Sequence, residues 1–396
     1  MNDAVHVGRV QLAESNGQQR LSAEVDGEMV WFDWPAGTLT EPRPEPFLML
    51  GLQEAMARRV PLVLDAPHRV SADWVRNLDR VQSVLLAWND EDLGRVPVHA
   101  ETAPEAPHRG LGLSTFSGGV DSSFTFMRCR ADLTHVLLVQ GFDSDDEEAW
   151  RRNVAARQAF ADRQGVVLLA VSNNVRTFVE GRRLSWNLVH GGLLASLGVA
   201  LGAHRVVIPS TFTYRHLIPW GSHPVLDPLW STTQCTVVHH GAEFNRTDKT
   251  RHLLEAPDLL DQLQVCWRSV DQNCGACPKC VRTSLALHLL GARSAKMPPY
   301  QGPDQLVWLR PGNPASLAYT EELIRLALQC GQPAVAERLR RYRKRFLMKM
   351  HGVEWVKLLG GRRLKAWVRA RSGEDWRRER VKLEAARDWL DEGGAP

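Results

Sequence analysis

The stretch LGLSTFSGGVDSSFTFMRCR, Leu111 to Arg130, constrains the fold of this chain more than any other. An apolar run of strand type stops at Ser117-Gly118-Gly119 and restarts as a segment able to begin a helix. A strand, a Ser-Gly-Gly turn and a helix in that order direct several free backbone N–H groups at one spot, the positive end of the helix dipole. Gly118 and Gly119 admit positive φ and close approach, while Ser117 and Ser122 add hydroxyl donors. Such a cradle suits a polyphosphate. Asp121 would repel that guest unless a divalent cation lay between them or the carboxylate capped the helix, so Mg²⁺ is implied. The plainer alternative is a surface Gly-Gly turn followed by an Asp or Ser cap. The string lacks the Lys of a Walker P-loop and the spacing of GxGxxG.

Beyond Arg130 the chain repeats the same alternation. THVLLVQGF, EEAWRRNVAARQAFADRQG, VVLLAVS, WNLVHGGLLASLGVALG and RVVIPST read as strand, helix, strand, helix, strand. Continuous apolar strands between amphipathic helices predict an α/β domain, a doubly wound parallel sheet covered on both faces. Ligands of such sheets bind at the carboxyl ends of strands, where FSGGVDSS falls. Residues 1–105 read as an N-terminal α+β extension, either a separate domain or a continuation of the sheet: strand-like VHVGRVQLA, EMVWFDWP and VPLVLDA, with helices at PFLMLGLQEAMARR and in the segment ending VQSVLLAW. The Pro-rich ETAPEAPHRG closes it as a linker.

Charge is unevenly spread. Residues 1–110 carry 10 Lys and Arg against 17 Asp and Glu, whereas 331–396 carry 18 against 9, so the basic surplus belongs to the C-terminus. Residues 320–396 read as a basic helical region, densest at RLRRYRKRFLMKM and punctuated by Trp355, Trp367, Trp376 and Trp389. It is a candidate RNA or acidic-protein surface, and equally a helical bundle whose basic stems lie across its exterior. Acidic residues from Glu374 onward interleave with the basic ones and favour the bundle. No run approaches the ~18 apolar residues of a membrane span, and the N-terminus has no basic region followed by an apolar core. A cytoplasmic protein without membrane partners is expected.

Of seven cysteines, four are bunched: Cys266, Cys274, Cys277 and Cys280 form a C-x7-C-x2-C-x2-C array. Four thiolates at this spacing can close tetrahedrally around Zn²⁺, and the same ligands can hold an iron–sulfur cluster. A site full of sulfur is structural, and it would pin the helix CVRTSLALHLLGA. Cys129, Cys235 and Cys330 are scattered and form no CxxC pair.

The Ser117, Gly118, Gly119, Asp121 and Ser122 string resembles the SGGxDS loop of the PP-loop (N-type) ATP pyrophosphatase superfamily. Together with the cysteine knuckle at 266–280 it resembles the 7-cyano-7-deazaguanine synthase branch, over roughly residues 111–292. The resemblance implies an adenine nucleotide alpha hydrolase-like (HUP) fold and an ATP-dependent C–N ligase. Such an enzyme adenylates a carboxylate, releases pyrophosphate, and lets ammonia or an amine displace AMP to give an amide, which a second activation by ATP can convert, where ammonia was the donor, to a nitrile. The acid expected is heterocyclic and deazapurine-like.

Phe116, Ser117, Gly118, Gly119, Val120, Asp121 and Ser122 would then hold ATP, with Ser117, Asp121 and Ser122 catalytic. Asp143 would help hold Mg²⁺ or the ribose. Lys249 is a candidate for the adenylate phosphate, or a solvated lysine at a helix start. The polar, Pro-punctuated segment after RVVIP offers Ser210, Thr211, Tyr214, Trp220, His223 and Asp227 as an acceptor-substrate pocket, or else as an ordered loop whose Trp residues fill a gap. Partners implied are a small carboxylic acid and an ammonia or amine donor, with a homodimer admissible. Two other readings stand beside this one: an RNA (tRNA)-modifying PP-loop enzyme, and a nucleotide-binding component of a biosynthetic or phage-defence system.

Overall fold

A computed structural model describes residues 3–89, 91–141, 146–182, 184–313 and 315–359, with 351–359 as helical backbone, and the chain divides into two compact units. The first comprises Met1–Thr211, Trp220–Ala242 and Arg268–Asp271; the second comprises Phe212–Pro219, Glu243–Trp267 and the chain from Gln272 onward.

The first unit is built on strands. In chain order it holds β1 (Val5–Ser15), β2 (Gln18–Val25), β3 (Glu28–Pro35), α1 (Glu45–Arg58), β4 (Leu62–Leu64), β5 (Arg69–Val70), α2 (Ala72–Asn89), β6 (Val98–His99) and β7 (Glu101–Thr102). Then come β8 (Leu111–Thr115), α3 (Val120–Cys129), β9 (His135–Val139), α4 (Glu147–Gln164), β10 (Val167–Asn173), α5 (Val175–Gly181), α6 (Trp186–Ala200), β11 (Ala203–Pro209) and β12 (Thr236–His240). Ten strands form one sheet in the order β12-β11-β8-β9-β10-β3-β2-β1-β4-β6, and β5 pairs with β7 apart from it.

From β12 to β10 every pairing is parallel. The chain lays down β8, β9 and β10 toward one side, then returns across β8 to place β11 and β12 on the other. That reversal makes the carboxyl ends of β8 and β11 the switch point, the place where open sheets of this kind bind their ligands. Side chains alternate across the sheet as the period of two requires. Leu113, Leu137, Leu169 and Val171 pack into one cluster with Leu193 and Leu197 of α6 and Leu48 of α1. On the α3 and α4 side, Phe116, Phe126 and Phe160 form an aromatic cluster with ring centroids 5.1–5.5 Å apart. Helices therefore cover both faces.

The N-terminal strands continue this sheet. β3 pairs antiparallel with β10, Asp33 opposite Ser172 and Phe32 opposite Asn173. One residue further, the Asn174 side chain accepts from Trp31 N and donates to Met29 O, both at 2.9 Å, imitating a further ladder rung. Arg182 fastens the β2–β3 turn, with Nη1 2.9 Å from Asp26 Oδ2 and 3.4 Å from Glu54 Oε1. Burial raises the Glu54 pKa, and the two arginines Arg182 and Arg58 oppose that shift. Close approach fixes one glycine here. A Cβ on Gly112 of β8 would lie 1.9 Å from Asp132 O.

The second unit is helical: α7 (Arg246–Leu253), α8 (Pro257–Leu260), α9 (Pro278–Leu289), α10 (Ala315–Gln329) and α11 (Pro333–Leu359). Val281 and Leu285 of α9, Leu306 of the turn before α10, Leu323 of α10 and Leu339 of α11 share its core.

Candidate functional site

The loop between β8 and α3 is held from three sides. Phe116 N donates to Leu137 O of β9 at 2.8 Å, which keeps the strand ladder intact up to the turn. Gly118 then takes φ +77°, a left-handed conformation that a side chain resists. Gly119, extended at φ −76° and ψ 171°, is the N-cap of α3 and has no side chain to occupy the helix N–H groups. Ser117 Oγ accepts from Gly119 N at 3.3 Å and lies 3.3 Å from Ser122 Oγ, which donates to Gly119 O at 3.2 Å. Ser117 is exposed, Asp121 half-buried and Ser122 buried. The hydroxyls thus brace a turn whose open side is backbone at a helix N-terminus.

Arg157 joins the loop without a motif to announce it. It projects from α4, is 1 % exposed, and bonds Asn153 Oδ1 through Nε at 3.3 Å. A Cβ on Gly118 would lie 2.3 Å from its Nη1, so the guanidinium lies directly against the glycine. Burial pulls the Arg157 pKa down to about 10, which leaves it protonated at neutral pH. A charge removed from water beside a turn of N–H donors raises the local affinity for an anion. The sequence signal is faint but present: Asn153 and Arg157 occupy the buried face of α4 that Trp150, Phe160 and Ala161 also define.

Of the residues expected to line an acceptor pocket, Ser210, the residue after β11, is fully buried, its N–H donating to His240 O at 2.8 Å, and Thr211 is half-buried. Asp227 is a buried hub. Its Oδ2 accepts from Ser222 Oγ and lies 2.8 Å from His239 Nδ1, and its Oδ1 accepts from His223 N at 3.2 Å. Trp220 lies edge-on to His190 of α6 at 5.4 Å, and His223 packs edge-on to Trp88 of α2 at 5.0 Å. The segment is therefore pinned to α2, α6 and β12. His240 takes a comparable tie, its Nδ1 3.0 Å from Thr125 Oγ1 of α3. Tyr214 belongs to the second unit and is 60 % exposed.

His223 makes this region sensitive to acid. Its Nδ1 accepts from Val225 N at 3.1 Å, which requires the neutral ring, and burial, with His239 adding to it, pulls its pKa down to about 4. The unfolded chain takes up this proton near pH 6.5 and the folded chain does not until about pH 4, so stability is complete above pH 6.5 and is lost as pH falls across that window. The expected loss is on the order of 2 kcal/mol between pH 6.5 and pH 4. Urea midpoints measured across that range should show a shallower slope in His223→Gln than in the wild type; parallel slopes would refute the assignment.

The four cysteines of the array come together in the second unit. Their sulfurs all lie within 4.8 Å of one another, with Cys266, Cys277 and Cys280 buried and Cys274 exposed. Asn273 organises the knuckle: Oδ1 accepts from Val265 N and Cys266 N at 2.9 and 3.2 Å, and Nδ2 donates to Leu263 O and Lys296 O. Gly275, at φ +66°, turns the chain between Cys274 and Cys277. Cys277 caps α9, its Sγ accepting from Cys280 N at 3.4 Å. Burial pushes the Cys280 thiol pKa up, with Cys277 reinforcing it. A divalent cation would reverse that cost by favouring the thiolates. The cluster can hold a metal ion such as zinc.

Lys249 lies on α7 of the second unit and is 1 % exposed, so it is not a solvated lysine. Asp143 lies outside the described residues, as do Trp367, Trp376, Trp389 and the acidic residues from Glu374 onward. Beside Asp143 in the acidic run, Asp146 caps α4 by accepting from Glu148 N and Ala149 N. Among the described residues no helix is long and apolar enough to cross a membrane. Compared with protein-family models, curated proteins and solved structures, the chain shows no match.

Proposed function

We propose that the chain is an ATP pyrophosphatase of the PP-loop type that adenylates a carboxylate and passes the acyl group to ammonia or an amine. The observation carrying this reading is the Ser117–Ser122 turn. It stands at the carboxyl end of β8, at the reversal of strand order, opens onto the N-terminus of α3, and is backed by the buried guanidinium of Arg157. The strand order β10-β9-β8-β11-β12 also supports the finer assignment to the adenine nucleotide alpha hydrolase-like fold. In this reading Gly118 and Gly119 let backbone donors reach the β- and γ-phosphates, and Ser117 and Ser122 hold the turn that aims them.

Asp121 fits a Mg²⁺ site, since a half-buried carboxylate beside a phosphate cradle gains from a cation between the two charges. When bound, Mg²⁺ would neutralise charge on the leaving pyrophosphate. No general base is required, because the attacking amine is already a nucleophile in its neutral form. Zinc at the cysteine cluster would brace the second unit. Sulfur transfer by a free thiol is disfavoured at Cys235, where burial pushes the thiol up to about 12 and leaves little thiolate at neutral pH.

The test is a reaction of the purified protein with Mg-ATP, ammonium and a panel of deazapurine and other heterocyclic acids, followed by mass spectrometry. AMP, pyrophosphate and an amide or nitrile are expected, and all should vanish in Asp121→Ala. Formation of ADP, or nucleotide turnover that survives Asp121→Ala, would sink the reading.

A further inference from the structure

The geometry points to the exposed face of α11 as a docking surface for the phosphate backbone of a nucleic-acid duplex. This goes beyond the nucleotide reading and does not rest on it.

The helix is sharply two-sided. Ala336, Leu339, Tyr342 and Phe346 are buried, the first three in the core that α11 shares with α10 and α9. Arg340, Arg341, Lys344, Arg345, Met348 and Lys349 are exposed. From Arg338 to Val353 the sequence contains no Asp or Glu. The cations nearer the core are engaged inward: Arg338 donates to Tyr342 Oη at 3.1 Å and lies 3.7 Å from Asp304, and Arg343 pairs with Glu321. Those on the outer face are not. Arg341 reaches Glu337 one turn back at 3.5 Å, while Arg340, Lys344, Arg345 and Lys349 have no ion-pair partner among the described residues.

Like charges one turn apart repel by a few tenths of a kcal/mol each, so this row does not serve the helix itself. At 1.5 Å per residue, Arg340 to Lys349 spans about 14 Å, a cationic strip two and a half turns long. Its chemistry selects the partner. An interfacial membrane helix needs a free apolar face, and here that face is consumed by the core. Single strands are gripped by stacking bases on exposed aromatics, whereas Tyr342 and Phe346 are buried. The strip offers Arg and Lys with no amide or aromatic side chain to read bases, which matches backbone contact.

The experiment is fluorescence anisotropy of the full chain with a mixed-sequence duplex of about 20 base pairs over a salt series. Five phosphate contacts predict a slope of log K against log salt near −4 to −5. Arg340→Gln/Lys344→Gln/Arg345→Gln/Lys349→Gln should reduce that slope by about 3 to 4 and weaken binding at least about 100-fold at low salt. A charge-matched control, Arg9→Gln/Arg69→Gln/Arg76→Gln/Arg95→Gln on the first unit, should leave both nearly unchanged. The proposal is overturned by absence of binding near 50 mM salt. It is equally overturned by equal losses in the two variants, or by tighter binding of single strands, polyglutamate or phosphatidylserine vesicles through the same residues.

Discussion

Gly118→Ala is expected to destabilise the first unit by about 2–5 kcal/mol and, on the proposal that its loop holds ATP, to cut pyrophosphate release about 10²–10³-fold. Two costs add. An L-residue at φ +77° is strained by about 1–2 kcal/mol, and the new methyl would lie 2.3 Å from Nη1 of Arg157. That neighbour is 1 % exposed, so it has little room to yield, and overpacking of this kind costs about 1–3 kcal/mol. Gly17→Ala separates the two effects. Gly17 has φ +75° but nothing within 4 Å of its would-be Cβ, so it should show the conformational cost alone. Urea unfolding of both variants, with nucleotide turnover measured in parallel, makes the comparison. Equal stability losses would mean that Arg157 does not press on the loop; unchanged turnover in Gly118→Ala would remove the loop from the chemistry.

Cys277→Ser should abolish metal binding and unfold much of the second unit. Structural zinc contributes an apparent ~10–16 kcal/mol in small Cys-ligated domains at neutral pH, and Cys277 is both a ligand candidate and the cap of α9. Elemental analysis of the wild type should find about one zinc per chain, and a strong chelator should lower its thermal midpoint. Cys330→Ser, outside the cluster and only half-buried, should alter neither. Iron with inorganic sulfide in place of zinc would turn the site into a cluster. A wild type that is metal-free and indifferent to chelator would eliminate it.

Much of this architecture is legible in the sequence because its signals are local. The apolar runs that become β8 through β11 and the helices between them need only hydrophobic periodicity, and the four sulfurs need only spacing. β2 is easy to overlook, since QQRLSAEV alternates Leu21, Ala23 and Val25 among polar residues without a strong apolar run. Arg157 escapes notice for a different reason: as one of four arginines on α4, it looks solvated until its face is known. Asp227 illustrates the converse. A carboxylate in a polar loop suggests a ligand contact, yet Ser222, His223 and His239 draw it wholly inside.

Residue type and spacing over short stretches are enough to give the Ser-Gly-Gly turn before α3, the alternating α/β pattern around it and the four-sulfur array. Long-range packing is what joins β3 to β10, so that residues 1–105 extend the same sheet, and what sets a buried guanidinium against Gly118. The same packing turns a row of α11 cations outward. Strand pairing, burial of charge and the facing of a helix depend on neighbours distant in the chain, and periodicity within one segment does not encode which neighbours those are.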